Sequence, residues 1–217
     1  MKAKVLVLTA IISTATFVAK SQGSATFGIR AGVNFQNITG KEFDGSDVDG
    51  KLKPGFNVGV NAEVPVAPDF YVQPGVLFST KGRKDKDDDD IKINLSYIEV
   101  PINFLYKPAL GDGKLLLGIG PYIAFAVGGK FTDNTGDETD IKFKNSITAQ
   151  EFLADPYAKR IDVGGNLLFG YELSSKISAQ LNAQLGMVKI NPKIDGVSND
   201  KTKYKNTGFG ISLGYRF

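Results

Sequence analysis

Apolar and polar residues alternate with a period of two along eight segments of the chain. In the first segment, residues 27–35, every odd position is Phe, Ile, Ala or Val, and every even position is Gly, Arg or Asn. The last segment, residues 209–217, has the same alternation. A period of two places successive side chains on opposite faces of a strand, so the pattern predicts β-strands rather than helices. Most of the segments have the length of about 9–11 residues that a tilted strand needs to cross a bilayer.

The two faces of the predicted strands differ in a way that favours a membrane barrel. The apolar face is nearly uninterrupted, whereas the polar face carries mainly Gly, Asn, Gln and a few charges. Such a polar face suits a narrow barrel interior, and the apolar face suits lipid. Strands in lipid must close into a barrel, because unpaired backbone groups are costly there. We therefore predict an all-β fold, an eight-stranded antiparallel up-and-down transmembrane β-barrel.

The predicted connections between the strands alternate in length. The long ones are residues 39–53, 82–93, 129–160 and 191–203, and the short ones are 66–69, 108–113 and 174–176. Outer-membrane barrels combine short periplasmic turns with longer extracellular loops, so both termini are expected in the periplasm. In the longest loop, the Ala-Gln-Glu-Phe-Leu-Ala segment that begins at Ala149 predicts a short helix.

Residues 1–21 have the layout of a cleaved secretory signal peptide, with a basic start, an apolar stretch and small residues at the cut. The predicted organisation is thus a signal peptide at 1–21 and an outer-membrane barrel domain at 22–217. Removal of the signal takes away Lys2, Lys4 and Lys20, which leaves 23 basic and 23 acidic residues. The net charge of +3 therefore comes from the signal and gives no reason to expect a nucleic-acid partner.

The composition excludes several kinds of chemistry. The chain has no Cys, which excludes disulfides, thiolate metal sites and a lipidated N-terminal cysteine. It has no His, which excludes a Ser-His-Asp triad and imidazole metal ligands. No cofactor is expected, and we predict that the protein is not an enzyme.

Several motifs along the chain resemble those of the outer-membrane β-barrel "porin family" domain, also called PorT-like. They are residues 70–82, 95–103, 118–122, 160–164, 170–172 and 208–217. The resemblance implies a small eight-stranded barrel of a Gram-negative outer membrane, without a catalytic site. By resemblance alone, it also raises a role as a component that assists protein secretion.

Three prolines fall inside predicted strands, namely Pro74, Pro101 and Pro121. Proline lacks the N–H that a strand ladder needs, so it is tolerated mainly at edges or bulges. We therefore expect β-bulges or bends at these positions.

The polar face carries charged and aromatic side chains that are expected to form an interior cluster. They are Arg30, Glu63, Glu99, Glu172, Arg216, Tyr71, Tyr97 and Tyr122. Charges in a narrow interior need partners, which favours an ionic and hydrogen-bonded plug. The alternative, catalysis by the carboxylate pair Glu63 and Glu172, stays open because structural ion pairs and catalytic groups share such features.

Two other regions suggest binding partners. Asp87, Asp88, Asp89 and Asp90 form an acidic run that is a weak calcium candidate, although a solvated charge run is the favoured interpretation. The closing Tyr215 and Phe217 resemble the signal that outer-membrane assembly machinery recognises. The other expected partners are outer-membrane lipid and an extracellular ligand bound by the loops, and we expect a monomer.

These features predict a structural or interaction protein of the outer membrane, with a largely plugged polar interior and long extracellular loops. The alternatives are a narrow porin-like conduit for small solutes and the secretion component named above.

Overall fold

The computed structural model describes residues 24–197 and 200–217, so the predicted signal peptide lies outside the described residues. The barrel strands are β1 (Thr26–Lys41), β2 (Lys53–Ala67), β3 (Phe70–Asp85), β4 (Lys92–Tyr106), β5 (Gly113–Thr132), β6 (Ile161–Glu172), β7 (Ile177–Gly186) and β8 (Lys203–Arg216). Each strand pairs antiparallel with the next, and β1 also pairs with β8. The sheet is thereby closed, and the predicted eight-stranded up-and-down barrel is confirmed.

The barrel has two unlike ends. At the short-turn end, brief connections join β2 to β3, β4 to β5 and β6 to β7, and both β1 and β8 have a terminus there. At the long-loop end, longer segments join the remaining strands. The strands contain 10 to 20 residues, and most are longer than predicted because the ladder continues towards the loops; β5 alone has 20 residues. β6 and β7, with 12 and 10 residues, have about the predicted length. The last three residues of β5 pair with the short strand Glu138–Asp140.

The long loop between β5 and β6 contains short elements of its own. Two-residue strands lie at Lys142–Phe143, Ser146–Ile147 and Tyr157–Ala158, and the helix α1 spans Ala149–Ala154. The predicted helix is confirmed. The helix begins with a capping box formed by Thr148 and Glu151. A hydrogen bond from Lys144 lowers the pKa of the Glu151 carboxyl. No helix in the described ranges is long and apolar enough to cross a membrane.

The outer wall of the barrel is apolar, as the alternation predicts. Exposed apolar side chains face outward on strands around the barrel, such as Ile29 on β1, Val58 on β2, Ile119 on β5 and Leu213 on β8. Aromatic rings also contact one another in pairs on this wall. The distance between ring centres is 5.5 Å for Phe35 and Phe209, 5.7 Å for Phe56 and Phe78, 4.8 Å for Phe70 and Tyr106, and 5.4 Å for Tyr215 and Phe217.

Of the bulges or bends predicted at the three prolines, the bulges are wrong, and the bends stay a prediction. Pro74, Pro101 and Pro121 each lie in a gap of two pairs in the ladder with the preceding strand, and the pairing then resumes in the same register. A missing N–H removes a ladder bond, but it does not require an extra residue in the strand. The register instead shifts between Pro65 and Ala67 in β2 and between Ser96 and Tyr97 in β4.

Candidate functional site

The lumen of the barrel contains eight charged side chains that form hydrogen-bonded groups. Four are basic and four are acidic: Arg30, Lys81, Lys107, Arg216, Glu63, Glu99, Asp162 and Glu172. All of them are buried except Glu172, which is half-buried. Each of the eight has at least one polar partner in the lumen.

The Glu63 cluster, which consists of Glu63, Lys107, Glu172 and Arg216, lies at the short-turn end. Lys107 Nζ donates to Glu63 Oε2 at 2.6 Å and to both Glu172 oxygens at 3.0 Å. Arg216 Nη2 donates to Glu63 Oε1 at 2.6 Å. The cluster joins β2, β6 and β8 to the turn after β4, where the Lys107 backbone N–H bonds to the carbonyl of Asp69.

The Lys81 cluster, which consists of Lys81, Glu99 and Asp162, lies nearer the long-loop end. Lys81 Nζ is 3.0 Å from Glu99 Oε2 and 3.3 Å from Asp162 Oδ2, and the three side chains are between 0% and 2% exposed. Tyr122 and Asn206 also donate to Asp162 Oδ2, at 3.2 Å and 2.9 Å. The ammonium lies 4.1 Å from the centre of the Tyr122 ring, which adds a cation–π contact.

Amide side chains fill the space between the two clusters. Gln73 donates to Glu63, Asn103 donates to Gln73, and Asn166 donates to Asn103, at distances of 3.1, 3.1 and 2.8 Å. On another side of the lumen, Arg30 Nη1 donates to Asn182 Oδ1 at 3.2 Å. The first two bonds join neighbouring strands, whereas those of Asn166 with Asn103 and of Arg30 with Asn182 each reach past an intervening strand.

Apolar side chains cover the lumen at the long-loop end. Ile38 and Leu95 from the wall pack with Ile141 and Ile190, which come from the loops after β5 and β7. The backbone N–H of Ile141 bonds to the carbonyl of Gly129 at 2.9 Å, which holds the longest loop against β5. At the short-turn end Leu105, Leu116 and Leu168 form a smaller apolar group.

Close packing in the Lys81 cluster requires a glycine in β6. A Cβ at Gly164 would lie 2.2 Å from the carbonyl oxygen of Leu185 and 2.7 Å from a ring carbon of Tyr122. The missing side chain therefore makes room for the Tyr122 ring, whose hydroxyl bonds to Asp162.

The structure separates the predicted interior residues into groups. Glu63, Glu172 and Arg216 share one cluster, Glu99 belongs to the other, and Arg30 contacts neither through a hydrogen bond. The lumen is also lined by Tyr71, Tyr97 and Tyr122. The centre of the Tyr71 ring lies 5.3 Å from Lys107 Nζ, and the Tyr97 hydroxyl accepts a hydrogen bond from Asn206 at 3.3 Å.

Sequence reasoning missed three members of the clusters. Lys81 and Lys107 follow Ser79 and Leu105 by two positions, so each continues the inward alternation beyond the predicted end of its strand. Asp162 lies on the polar face of β6 by the same alternation. Extending the alternation by two residues, to the next inward position, at the end of each predicted strand would have found both lysines.

The arrangement supports ion pairing more readily than acid–base catalysis. Glu63 and Glu172 both accept hydrogen bonds from the single ammonium of Lys107. The Gln73 amide and the Arg216 guanidinium both donate to the other oxygen of Glu63, Oε1. The pair thus has the contacts of a structural ion cluster.

The acidic run Asp87–Asp90 forms local turns and surface ion pairs. Asp89 accepts from Lys51 at 2.9 Å and lies 3.5 Å from Lys84, which both lower the pKa of its carboxyl. Within residues 24–197 and 200–217, no group of three or more acidic side chains is arranged to hold a metal ion.

The closing residues Tyr215 and Phe217 lie on the outer wall at the short-turn end. Both side chains are exposed, and the backbone N–H of Phe217 bonds to the carbonyl of Phe27 at 2.8 Å. The end of the chain is thereby fastened beside the start of β1.

Comparisons with known proteins place this fold among outer-membrane barrels. A family profile described as outer membrane protein β-barrel domain matches residues 20–191. Comparison with curated protein sequences finds no match.

Solved structures of three outer-membrane proteins are similar to this chain, and each match covers 90% of this chain and 100% of the other. Ail, the attachment invasion locus protein of Yersinia pestis, solved in complex with the heparin analogue sucrose octasulfate, has 16% identity and a TM-score of 0.44. Neisserial surface protein A (NspA) has 12% identity and a TM-score of 0.48. A major outer membrane protein from Thermus thermophilus has 15% identity and a TM-score of 0.45.

Proposed function

Since this chain belongs to the family of the outer membrane protein β-barrel domain, we propose that it is a closed, non-conducting barrel that acts through its long loops as a structural or interaction protein. The observation that supports this proposal is the hydrogen-bonded network of the lumen, in which two ionic clusters and the amides between them join strands that are not neighbours. An eight-stranded barrel has an interior only about wide enough for its own side chains.

Passage of a solute would require these clusters to open. The Lys81 ammonium is fully buried between two carboxylates, and moving it away would leave both of them unpaired. The apolar cover of Ile38, Leu95, Ile141 and Ile190 closes the lumen beyond that cluster. Both features support a barrel that is plugged rather than a narrow conduit.

Release of small solutes from vesicles tests this proposal. The purified full chain is inserted into vesicles loaded with KCl or glucose, and the rate of release is compared with that of protein-free vesicles. We expect equal rates. Release that increases with the amount of inserted barrel would favour the conduit and contradict a closed lumen.

We also propose that the chain is not an enzyme. The two carboxylates that could act as a catalytic pair share Lys107, and the chain lacks His. Any hydrolytic activity of the purified barrel that is lost in Glu63→Gln and Glu172→Gln variants, while the heat-dependent gel mobility of the folded form is kept, would contradict this.

We further propose that the short-turn end, with both termini, lies in the periplasm and that the long loops are extracellular. The alternation of loop lengths supports this orientation. Because the chain has no Cys, single cysteines can report it without background labelling. Asn134→Cys and Ser175→Cys place a thiol at an exposed position of the long-loop end and of a short turn, respectively.

Labelling of intact cells with a membrane-impermeant maleimide separates the two orientations. We expect Asn134→Cys to react in intact cells and Ser175→Cys to react only after lysis. The reverse pattern would contradict the proposed orientation. The mass of the same purified protein tests the removal of residues 1–21, since an uncleaved chain would keep them.

Two partners complete the proposal. Outer-membrane lipid covers the apolar wall, and the exposed Tyr215 and Phe217 are the contact for the assembly machinery. Their position at the exposed end of β8 supports this second contact. Replacing both by Ser is expected to reduce the amount of barrel in the outer membrane, whereas replacing Leu173, an exposed apolar residue at the same end, by Ser serves as the matched control.

A further inference from the structure

A pocket lies at the long-loop end, where the loop after β5 meets the loop after β7. Residues Ser146 and Ile147 pair in parallel with Lys193 and Ile194. The backbone N–H of Lys159 bonds to the carbonyl of Ile190 at 2.6 Å. Backbone hydrogen bonds therefore hold the two loops together beside this pocket.

The pocket has a volume of about 340 Å³ and a basic rim. Lys159, Lys189 and Lys193 line it, above a floor that includes the buried Asn191 and Pro192. The Asn191 amide donates to the carbonyl of Thr202 and accepts from the N–H of Tyr204, at 3.2 Å and 2.9 Å, so the floor is tied to β8. The volume is in the range of about 300–1,000 Å³ that small-molecule sites occupy.

The lysines of the pocket lack the acidic partners that other loop lysines have. Lys142 and Lys144, in the same loop as Lys159, form ion pairs with Asp155 and Glu151. Among the described residues, neither Lys159 nor Lys189 nor Lys193 has a carboxylate within ion-pair distance.

The surroundings of Lys159 also lack compensation for its charge. Burial, and secondarily the nearby Lys189 ammonium, lower the pKa of Lys159. Lys189 Nζ donates to the carbonyl of Thr202 at 3.2 Å. The one carboxylate of the lining, that of Asp200, accepts from the backbone N–H of Thr202 at 2.9 Å.

The pocket lies on the basic side of an end whose charges are unevenly distributed. Residues 141–160 and 187–205 contain nine basic and four acidic residues. Residues 41–53, 82–93 and 129–140 contain thirteen acidic and eight basic residues. An anion approaching this end is therefore directed away from the acidic loops and towards the pocket.

We propose that the pocket between Lys159, Lys189 and Lys193 binds a sugar that carries a phosphate or sulfate ester. Three lysines line this one cavity, and an ammonium group suits the charge of such an ester. The cavity also has room for a sugar ring, and Pro192 and Ile194 provide apolar surface against it. Only the extracellular position of the pocket rests on the proposed function. Binding itself depends neither on the orientation of the barrel nor on a closed lumen.

Calorimetric titration of the full chain in detergent micelles tests the site. The probes are glucose 6-phosphate, glucose 6-sulfate and, as the neutral control, glucose. We expect both esters to bind and glucose not to bind, with an affinity that falls as salt is raised. Lys159→Gln/Lys189→Gln is expected to weaken ester binding at least about tenfold. Lys203→Gln, which removes one exposed charge outside the pocket, is the control and should change the affinity by less than about twofold.

Two outcomes would overturn the proposal. One is that the esters bind no better than glucose, and the other is that Lys203→Gln weakens binding as much as the double variant. Release of solutes from vesicles is measured separately, so a conducting barrel that still binds the esters would contradict the proposed closed lumen and leave the pocket supported.

The same titration in vesicles distinguishes two sources of the ester. One set of vesicles contains lipopolysaccharide with its sugar phosphates, and the other contains the dephosphorylated form. A weaker apparent affinity for glucose 6-phosphate in the first set alone would show that the membrane's own sugar phosphates compete for the site. Equal affinities would assign the site to a ligand from outside the membrane.

Discussion

The ion pairs of the lumen and those of the loops have similar lengths but different surroundings. Lys107 lies 2.6 Å from Glu63 in the lumen, and Lys86 lies 2.6 Å from Asp49 in the loops. The first pair is 3% exposed on both sides, whereas the second is 59% and 69% exposed. Water screens the loop pair, so it contributes little to stability. Removing one partner from a buried pair costs about 3–5 kcal/mol, because the other charge stays buried without compensation.

The comparison shows that burial rather than distance decides how much each ion pair stabilises the barrel. Lys81 and Lys107 each face two carboxylates, so each lysine compensates more than one buried charge. The substitutions below separate the two classes of ion pair. Stability is followed by urea unfolding with Tyr fluorescence and heat-dependent gel mobility, since the chain has no Trp.

The largest loss is expected for Lys81→Met. The substitution leaves Glu99 and Asp162 buried without a cation, so the free energy of unfolding should fall by about 3–5 kcal/mol. The triple variant Lys81→Met/Glu99→Gln/Asp162→Asn removes all three charges and should recover most of that loss. A Lys81→Met barrel as stable as the natural one would contradict the role assigned to this cluster.

A smaller loss is expected for Glu63→Gln. Lys107 keeps Glu172 as a partner in this variant, whereas Arg216 loses its carboxylate. The amide oxygen that replaces the carboxylate can still accept from one cation, so the loss stays below that of an uncompensated buried charge. We expect the free energy of unfolding to fall by about 1.5–3 kcal/mol, the range for a hydrogen bond to a charged group. A loss larger than that of Lys81→Met would reverse the ranking of the two clusters.

Gly164→Ala tests the packing of the Lys81 cluster rather than its charge. The added Cβ would meet the Leu185 carbonyl oxygen and the Tyr122 ring, so a loss of about 1–3 kcal/mol in unfolding free energy is expected from overpacking. Gly128→Ala is the matched control, because a Cβ there has no atom within 4 Å. Equal effects of the two substitutions would rule out the packing explanation.

The smallest effect is expected in the loops. Lys86→Gln breaks the exposed pair with Asp49, and we expect no measurable change in unfolding free energy because water already screens both charges. A loss comparable with that of Glu63→Gln would show that burial does not separate the two classes of ion pair.

The alternation of residues predicts the barrel well because a period of two determines which side chains face inward along each strand. It places Glu63, Glu99 and Arg216 on the inner face, but it does not say which charges meet across the lumen. That depends on the pairing register and on how far each strand continues, which is why Lys81 and Lys107 were missed.

Local rules were least reliable where long-range pairing decides the outcome. The prolines keep the register, although the rule for strands favours bulges at such positions. Similarly, the lysine pocket depends on the pairing of Ile147 with Ile194, and no motif in either loop signals that contact. The helix α1, by contrast, could be predicted because its capping box and sequence are local.

The most direct measurement of the central claim, a lumen closed by buried ion clusters, is electrical recording from the natural chain in a planar bilayer with concentrated KCl. We predict that insertion of the folded barrel adds no unitary current to that of the bare bilayer. Stable unitary currents that scale with KCl concentration and appear only with the folded barrel would contradict it.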